Sequence, residues 1–309
     1  MTHPSEQTLS DQVLQWVVDS VNSSAIVESV DRLHGGMSSI VHSVSLRSGD
    51  LVNDYVVRQF NNKDWLSTER DLVAHEGANL RLASKVALPT PELIAFDEMG
   101  HRCGMPTVLM TKLEGSVILA PDDMSVWLDG LAESLVAIHR VAADDHPWIY
   151  RTYIDIDALD TPMWSYVPQL WSQAIDIARG PIPQTKPCFI HRDYHPTNVL
   201  WHRGRVSGVV DWVNACRGPA GIDLAHCRWN LALLFDVTTA DLFLSKYESY
   251  AGSTFRYDPY WDLLSMMDTL FGPPQVYPGW TALGVTGLTD EMMSQRSDAY
   301  LLSILKRYN

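Results

Sequence analysis

The chain changes its hydrophobic period several times. Leu9, Val13, Trp16 and Val17 recur at helical spacing behind Ser10 and Asp11, which suit a helix start, and predict a helix over 9–22. Residues 26–30, 40–46 and 55–60 are short strand-like runs. The polar turns His34-Gly35-Gly36-Met37-Ser38-Ser39 and Ser48-Gly49-Asp50 separate them, which predicts a three-stranded meander. Over 66–84 the period turns helical, with Leu72, Val73, Leu80 and Leu82. Leu88-Pro89-Thr90-Pro91 ends that helix, because proline cannot continue the hydrogen-bond ladder. Residues 93–96 and 106–110 predict two more strands. Residues 1–113 therefore read as a five-stranded antiparallel sheet with one inserted helix. Beyond Leu113-Glu114-Gly115 the pattern is helical. Leu128, Leu131, Leu135 and Ile138 form one apolar stripe, and further helices are expected around 163–179, 222–235, 240–251, 259–271 and 290–307. One β excursion, 188–211, interrupts them. The prediction is an α+β chain with a sheet domain over 1–113 and a mainly helical domain over 114–309.

Composition narrows the possibilities. With 46% hydrophobic and 19% charged residues, extensive disorder is ruled out. The four cysteines, Cys103, Cys188, Cys216 and Cys227, form no CxxC pair. A disulfide scaffold or thiolate zinc site is not expected, and a cytoplasmic setting is. A net charge of −14 opposes nucleic-acid binding. No apolar run approaches the ~18 residues of a membrane span, and the first residues lack a signal-peptide pattern. No membrane partner is expected, and the chain is expected to be a monomer or homodimer. Residues 114–180 carry 11 acids against 3 bases, with Asp155, Asp157 and Asp160 close together. This is either a solvated surface or a rim that attracts an aminated substrate.

The most informative segment is Cys188-Phe189-Ile190-His191-Arg192-Asp193-Tyr194-His195-Pro196-Thr197-Asn198-Val199-Leu200-Trp201, followed by the turn His202-Arg203-Gly204-Arg205 and by Val206-Ser207-Gly208-Val209-Val210-Asp211-Trp212. Its apolar runs can pair as a hairpin that holds Asp193, Asn198 and Asp211 at one end. Two carboxylates and an amide oxygen suit Mg²⁺, a hard cation that takes few protein ligands. Asp193 at the loop apex can accept a proton from an attacking hydroxyl, with Asn198 and Asp211 holding the metal. Phosphoryl transfer needs little more than positioning and charge neutralisation.

These residues resemble those of the aminoglycoside phosphotransferase and choline kinase group, relatives of protein kinases. The loop from His191 to Asn198 and Val210-Asp211-Trp212, with Asp211 thirteen residues after Asn198, carry the likeness. Gly35-Gly36-Met37-Ser38-Ser39, His75-Glu76-Gly77-Ala78-Asn79-Leu80, Leu88-Pro89-Thr90-Pro91, Val108-Leu109-Met110 with Leu113-Glu114-Gly115, and Ile222-Asp223-Leu224-Ala225 follow the family's order. The resemblance implies a two-lobed kinase-like fold that moves the γ-phosphoryl group of ATP to a small-molecule hydroxyl. It implies Asp193 as base and Asn198 and Asp211 as Mg²⁺ ligands. Gly35, Gly36, Ser38 and Ser39 would lie over the phosphates, the nucleotide would sit near residues 111–114, and Glu76 would pair with the basic residue of the third strand. That residue is Arg58 where the family usually has lysine, a wider and planar cation. With the acidic balance, the family makes a cationic aminoglycoside-like antibiotic the expected acceptor; choline, an amino alcohol or a sugar is the alternative. Asp211-Trp212 replaces Asp-Phe-Gly, and no Ala-Pro-Glu follows, which speaks against a protein substrate.

Each motif also has a plainer reading. Gly35-Gly36 alone suits an ordinary hairpin turn. Glu76 suits a solvated helix face, Asp223 an N-cap, and His139 a buried structural role. His191-x-Asp193-x-His195 also suits a metallohydrolase, although histidines beside such a loop more often brace its backbone. A nucleotide-binding module without transfer is a further alternative, given Arg58.

Overall fold

Period-two alternation builds β1 (Ile26–Arg32), β2 (Ile40–Ser48), β3 (Leu51–Gln59), β4 (Leu93–Asp97) and β5 (Thr107–Thr111) into one antiparallel sheet in the order β1-β2-β3-β5-β4. The structure, a computed structural model, describes residues 8–33, 39–269 and 272–308. The chain forms two compact units. One runs to Ser84 and resumes over Thr90–Leu113; the other comprises Lys85–Pro89 and everything from Glu114 onward.

In the first unit, β2 and β3 pair from Ile40↔Gln59 to Ser48↔Leu51 around Gly49 at φ +62°. Successive strand residues face opposite sides. Val57 joins Val44, Leu46 and Leu109 in a core with Val13, Trp16 and Val17 of α1 (Asp11–Val21), which Ser10 caps through the amide of Val13. Its neighbour Arg58 faces the other way. There its Nη1 lies 3.0 Å from Oε1 of Glu76. The single helix expected over 66–84 is in fact two, α2 (Lys63–Thr68) and α3 (Leu72–Ala83). Asn62 starts α2 by accepting the amides of Asp64 and Trp65. The Thr68 hydroxyl donates back to the Trp65 and Asp64 carbonyls at its end, a local bond that competes with helix continuation.

In the second unit the predicted stripe holds. Leu128, Leu131, Leu135 and Ile138 of α4 (Met124–His139) are fully buried. The helix expected from 163 begins later, as α5 (Pro168–Ala178). Asp298 explains the delay, for it accepts the Ser165 hydroxyl at 2.7 Å, the Tyr166 amide at 2.8 Å and the Trp171 indole N–H at 2.8 Å. Proline then sits at the first helical position, where its missing donor costs nothing. β6 (Ser116–Val117), β8 (Val199–His202) and β9 (Arg205–Val209) form a small sheet, and β7 (Cys188–Ile190) pairs instead with β10 (Cys216–Gly218), which the sequence pattern does not reveal. The β8–β9 turn places Arg203 at φ +50° and Gly204 at φ +74°, as a tight hairpin requires.

The remaining helices are α6 (Ala220–Leu234), α7 (Val237–Ala251), α8 (Tyr260–Thr269), α9 (Pro278–Ala282) and α10 (Asp290–Tyr308). α6 is buried almost all round, as a helix at the centre of a bundle must be. Its Arg228 lies 3.2 Å from Asp262 of α8, both fully buried, and the Tyr257 and Tyr300 hydroxyls each donate to Asp262 at 2.7 Å. Trp171, Trp229, Trp261 and Trp280 are core residues, the four cysteines are free, and among the described residues no helix is long and apolar enough to cross a membrane.

Gly221 opens α6 against Trp261, and a Cβ there would lie 2.2 Å from the indole Cδ1. Trp261 is buried and cannot swing away. Gly221→Ala is expected to cost about 1–3 kcal/mol of unfolding free energy. Urea titration checks this, and an unchanged midpoint would show that the indole yields.

Candidate functional site

The loop between β7 and β8 has to reverse direction while presenting polar groups. It does so with Arg192 in the left-handed region at φ +70°. Arginine is uneasy there, so tertiary bonds must hold it. The Asp223 carboxylate, fully buried in the first turn of α6, accepts the amides of His191 and Arg192, each at 2.7 Å. Its Oδ2 also lies 3.0 Å from His139 Nε2, and His139 Nδ1 lies 2.7 Å from the Tyr247 hydroxyl. His139 is thus the buried structural histidine expected. Asp223 does not cap its own helix, whose N-cap is Pro219. It anchors the loop instead. Burial alone would raise its pKa, but these donors keep it below the ordinary value.

The rest of the loop fixes Asp193. The Asn198 amide Nδ2 donates to the Asp193 carbonyl at 2.8 Å and lies 3.3 Å from its Oδ2. Oδ1 lies 3.2 Å from His226 Nε2 and 3.6 Å from His195 Nε2. Partial burial would raise the Asp193 pKa, but the two imidazoles hold it well below the usual carboxylate range, so it is ionised at neutral pH. Burial pushes His195 down to about 4 and keeps it neutral. His191 does not join this group, because its Nε2 braces the Val210 carbonyl at 2.9 Å. The His191-x-Asp193-x-His195 pattern therefore supplies two neighbouring donors rather than three. Asp193, His195 and His226 do bring one donor atom each to within 4.8 Å of the others.

The hairpin brings Asp211 to the same end. Val210 N–H donates to the Asn198 carbonyl at 2.9 Å, one step beyond the Val199↔Val209 pair, and Asp211 follows at φ +68°. Tyr277 feels both Asp193 and Asp211; burial first, then these two charges, pushes it up to about 12. The donor set fits Mg²⁺. Asn198 spends its amide nitrogen on Asp193, leaving its oxygen as the available acceptor, and Asp211 adds a carboxylate, both hard oxygen donors.

Of the other expected site residues, Arg58 and Glu76 form the buried pair described above, within the first unit. Ser39, just before β2, is buried, while Gly35, Gly36 and Ser38 lie outside the described residues. Sequence reasoning missed His226, Tyr277, Tyr150, Tyr153 and Asp268. His226 was within reach, since it follows Asp223 by three residues and so shares its helix face. Asp268 is a carboxylate in a mostly apolar run, which is a signal of burial with a partner.

A profile described as the phosphotransferase enzyme family matches residues 32–265. The chain belongs to that family. Among curated relatives, the N-acetylmuramate/N-acetylglucosamine kinase of Neisseria meningitidis serogroup B is 32% identical over 75 residues, which are 22% of this chain and 22% of that protein. The homoserine kinase of Methylorubrum populi is 27% identical over 138 residues, or 41% and 42% of the two chains. The matched segments thus span well under half of each relative. A crystal structure of an aminoglycoside phosphotransferase in ternary complex with AMP-PNP and hygromycin B superposes with a TM-score of 0.61 at 18% identity, covering 95% of this chain and 99% of that one. The fold is therefore the α+β kinase-like fold of this phosphotransferase family.

Two outcomes follow from this geometry. Asp223→Asn puts an N–H donor where the loop amides need an acceptor, and should cost about 1–3 kcal/mol in urea unfolding; an unchanged stability would mean the loop stands without it. Between pH ~6.5 and about 4 the unfolded chain protonates His195 while the folded chain does not. The unfolded state binds more protons there, so stability falls on acidification through that window, by up to about 3 kcal/mol. His195→Asn should flatten the dependence of melting temperature on pH in this range, and an identical slope would contradict the assignment.

Proposed function

We propose that this protein transfers the γ-phosphoryl group of ATP to a hydroxyl of a small molecule. The observation that carries the reading is the convergence of an ionised Asp193 with Asn198 and Asp211 at one hairpin end. Family membership and the nucleotide bound in the ternary complex of the aminoglycoside phosphotransferase support it.

In this reading Asp193 orients the acceptor hydroxyl and takes its proton as the bond to phosphorus forms. A strongly ionised carboxylate is a weak base, which suits a reaction whose transition state is largely dissociative and in which the proton leaves late. His226 and Asn198 restrain the two carboxylate oxygens, so that little reorganisation is needed at the moment of transfer. Asn198 and Asp211 would hold Mg²⁺, which when bound neutralises phosphate charge. Arg58, fixed by Glu76, is the cation offered to the nucleotide phosphates. Gly35, Gly36, Ser38 and Ser39 would supply the covering loop, whose backbone amides can donate to phosphate oxygens.

The acceptor is the finer question. The acidic stretch over 114–180 favours a cationic, aminoglycoside-like compound, with antibiotic resistance as the consequence and a cytoplasmic site of action. A sugar or amino alcohol is the metabolic alternative, in keeping with what the homoserine and N-acetylhexosamine kinases act on. The cavity beside Asp193, lined by Tyr150, Tyr153, Arg192 and His226 among others, measures about 130 Å³. A space of this size holds roughly one ring, so one ring or one short chain of the acceptor enters it.

Asp193→Asn should lower transfer about 10²–10⁴-fold, the usual contribution of a positioned base, while Mg-ATP still raises the melting temperature. Asn198→Ala and Asp211→Ala should raise the Mg²⁺ concentration needed for half-maximal ADP release. Retention of most activity by the Asp193 variant, or metal-independent transfer by the unaltered protein, would refute these roles.

A further inference from the structure

We propose that Arg192 is the built-in occupant of a cation cage on the acceptor side of Asp193, and that it restricts the acceptor to compounds whose reacting end is uncharged. The proposal rests on the kinase reading above and refines its substrate class. The Arg192 guanidinium carbon lies 4.4 Å from the ring centre of Tyr150 and 4.0 Å from that of Tyr153. Its Nη1 and Nη2 each lie 3.2 Å from Asp268 Oδ2, and Nη2 donates to the Arg151 carbonyl at 2.7 Å. Both charged side chains are buried, at 8% and 1% exposure. Two aromatic faces and a buried carboxylate are the equipment with which proteins bind an ammonium or guanidinium ligand. Here all three serve the chain's own cation.

The position of this cluster gives it consequence. Tyr150, Tyr153, Arg192 and Asp268 line the same small cavity as Asp193 and His226. An incoming ammonium would find both ring faces taken and would stand beside a fixed guanidinium. Repulsion between like charges is strong where water is scarce. The remaining carboxylate on the wall is Asp193, and an ammonium bound to it would displace the hydroxyl that has to react. An uncharged, hydroxyl-bearing end meets neither obstacle. The acidic surface elsewhere can still draw cations to the protein, but the cavity itself is closed to them.

The backbone supports the same reading. At φ +70° glycine would be at ease and arginine is strained. The side chain, not the backbone, accounts for arginine at this position. Arg192→Gly therefore suits the loop geometry and empties the cage.

Two readouts test the proposal. In the first, methylguanidinium or tetramethylammonium at millimolar concentration should raise the melting temperature of Arg192→Gly relative to sodium chloride at equal ionic strength, and should leave the unaltered protein unmoved. In the second, ADP release is compared for matched acceptors, choline with its uncharged isostere dimethylbutanol, and glucosamine with N-acetylglucosamine. The unaltered protein should have the higher kcat/KM for the uncharged member of a pair, and Arg192→Gly should shift the ratio toward the amine by about thirtyfold, the worth of one well-desolvated cation–π contact. Arg192→Lys retains a cation and should retain the preference for uncharged acceptors, which keeps the test open if the glycine variant does not fold. A preference of the unaltered protein for amines, an unchanged ratio in Arg192→Gly, or a loss of the preference in Arg192→Lys would overturn the proposal. If no acceptor gives ADP, the kinase reading fails, and the binding of methylguanidinium decides the cage independently.

Discussion

The acceptance of two loop amides by one buried carboxylate is the constraint on which the second unit's chemistry depends. Asp223 holds the His191 and Arg192 N–H groups at 2.7 Å and lies against His139, which Tyr247 fixes in turn. Buried amides without a partner are costly, and a left-handed arginine adds strain to the same turn. The anchor resolves both problems from a helix that is itself buried almost all round and tied to α8 through Arg228 and Asp262. Loop and bundle are therefore one mechanical unit. The loop's shape is inherited from the helix packing, and with it the place at which Asp193 stands.

Several cations inside this unit are matched by carboxylates. Arg192 is neutralised by Asp268, Arg228 by Asp262 and Asp241, and Lys246 by Asp129. The Asp193 carboxylate instead lies against the imidazoles of His226 and His195 and the amide of Asn198, and His195 is held neutral by burial. The carboxylate on which the proposed transfer depends thus keeps its charge and its lone pairs, instead of spending them on a fixed cation.

Much of this was legible in the sequence. The switch from period two to period 3.6 marks the change from sheet to bundle, and the spacing of Asp193, Asn198 and Asp211 announces a hairpin-end site, because a register of antiparallel pairs converts sequence distance into proximity. The strand-to-helix alternation around Arg58 and Glu76 left open whether they meet; that answer needed the strand's facing direction. Illegible were contacts made at long range by residues with no local pattern. Tyr150, Tyr153 and Asp268 come to Arg192 from a loop and a helix far along the chain, and Asp298 overrides the start of a helix more than a hundred residues before it. Side chains of this kind obey tertiary packing, which no periodicity encodes. Asp223 was recognisable as a special acid, but its role as a loop anchor rather than a helix cap depended on where its oxygens point.

Amide hydrogen exchange at His191 and Arg192 tests the central claim most directly. If the Asp223 carboxylate clamps the loop, both amides exchange only through global unfolding, with a free energy equal to that from urea titration. Exchange within the mixing time, while β8 and β9 stay protected, would contradict the account.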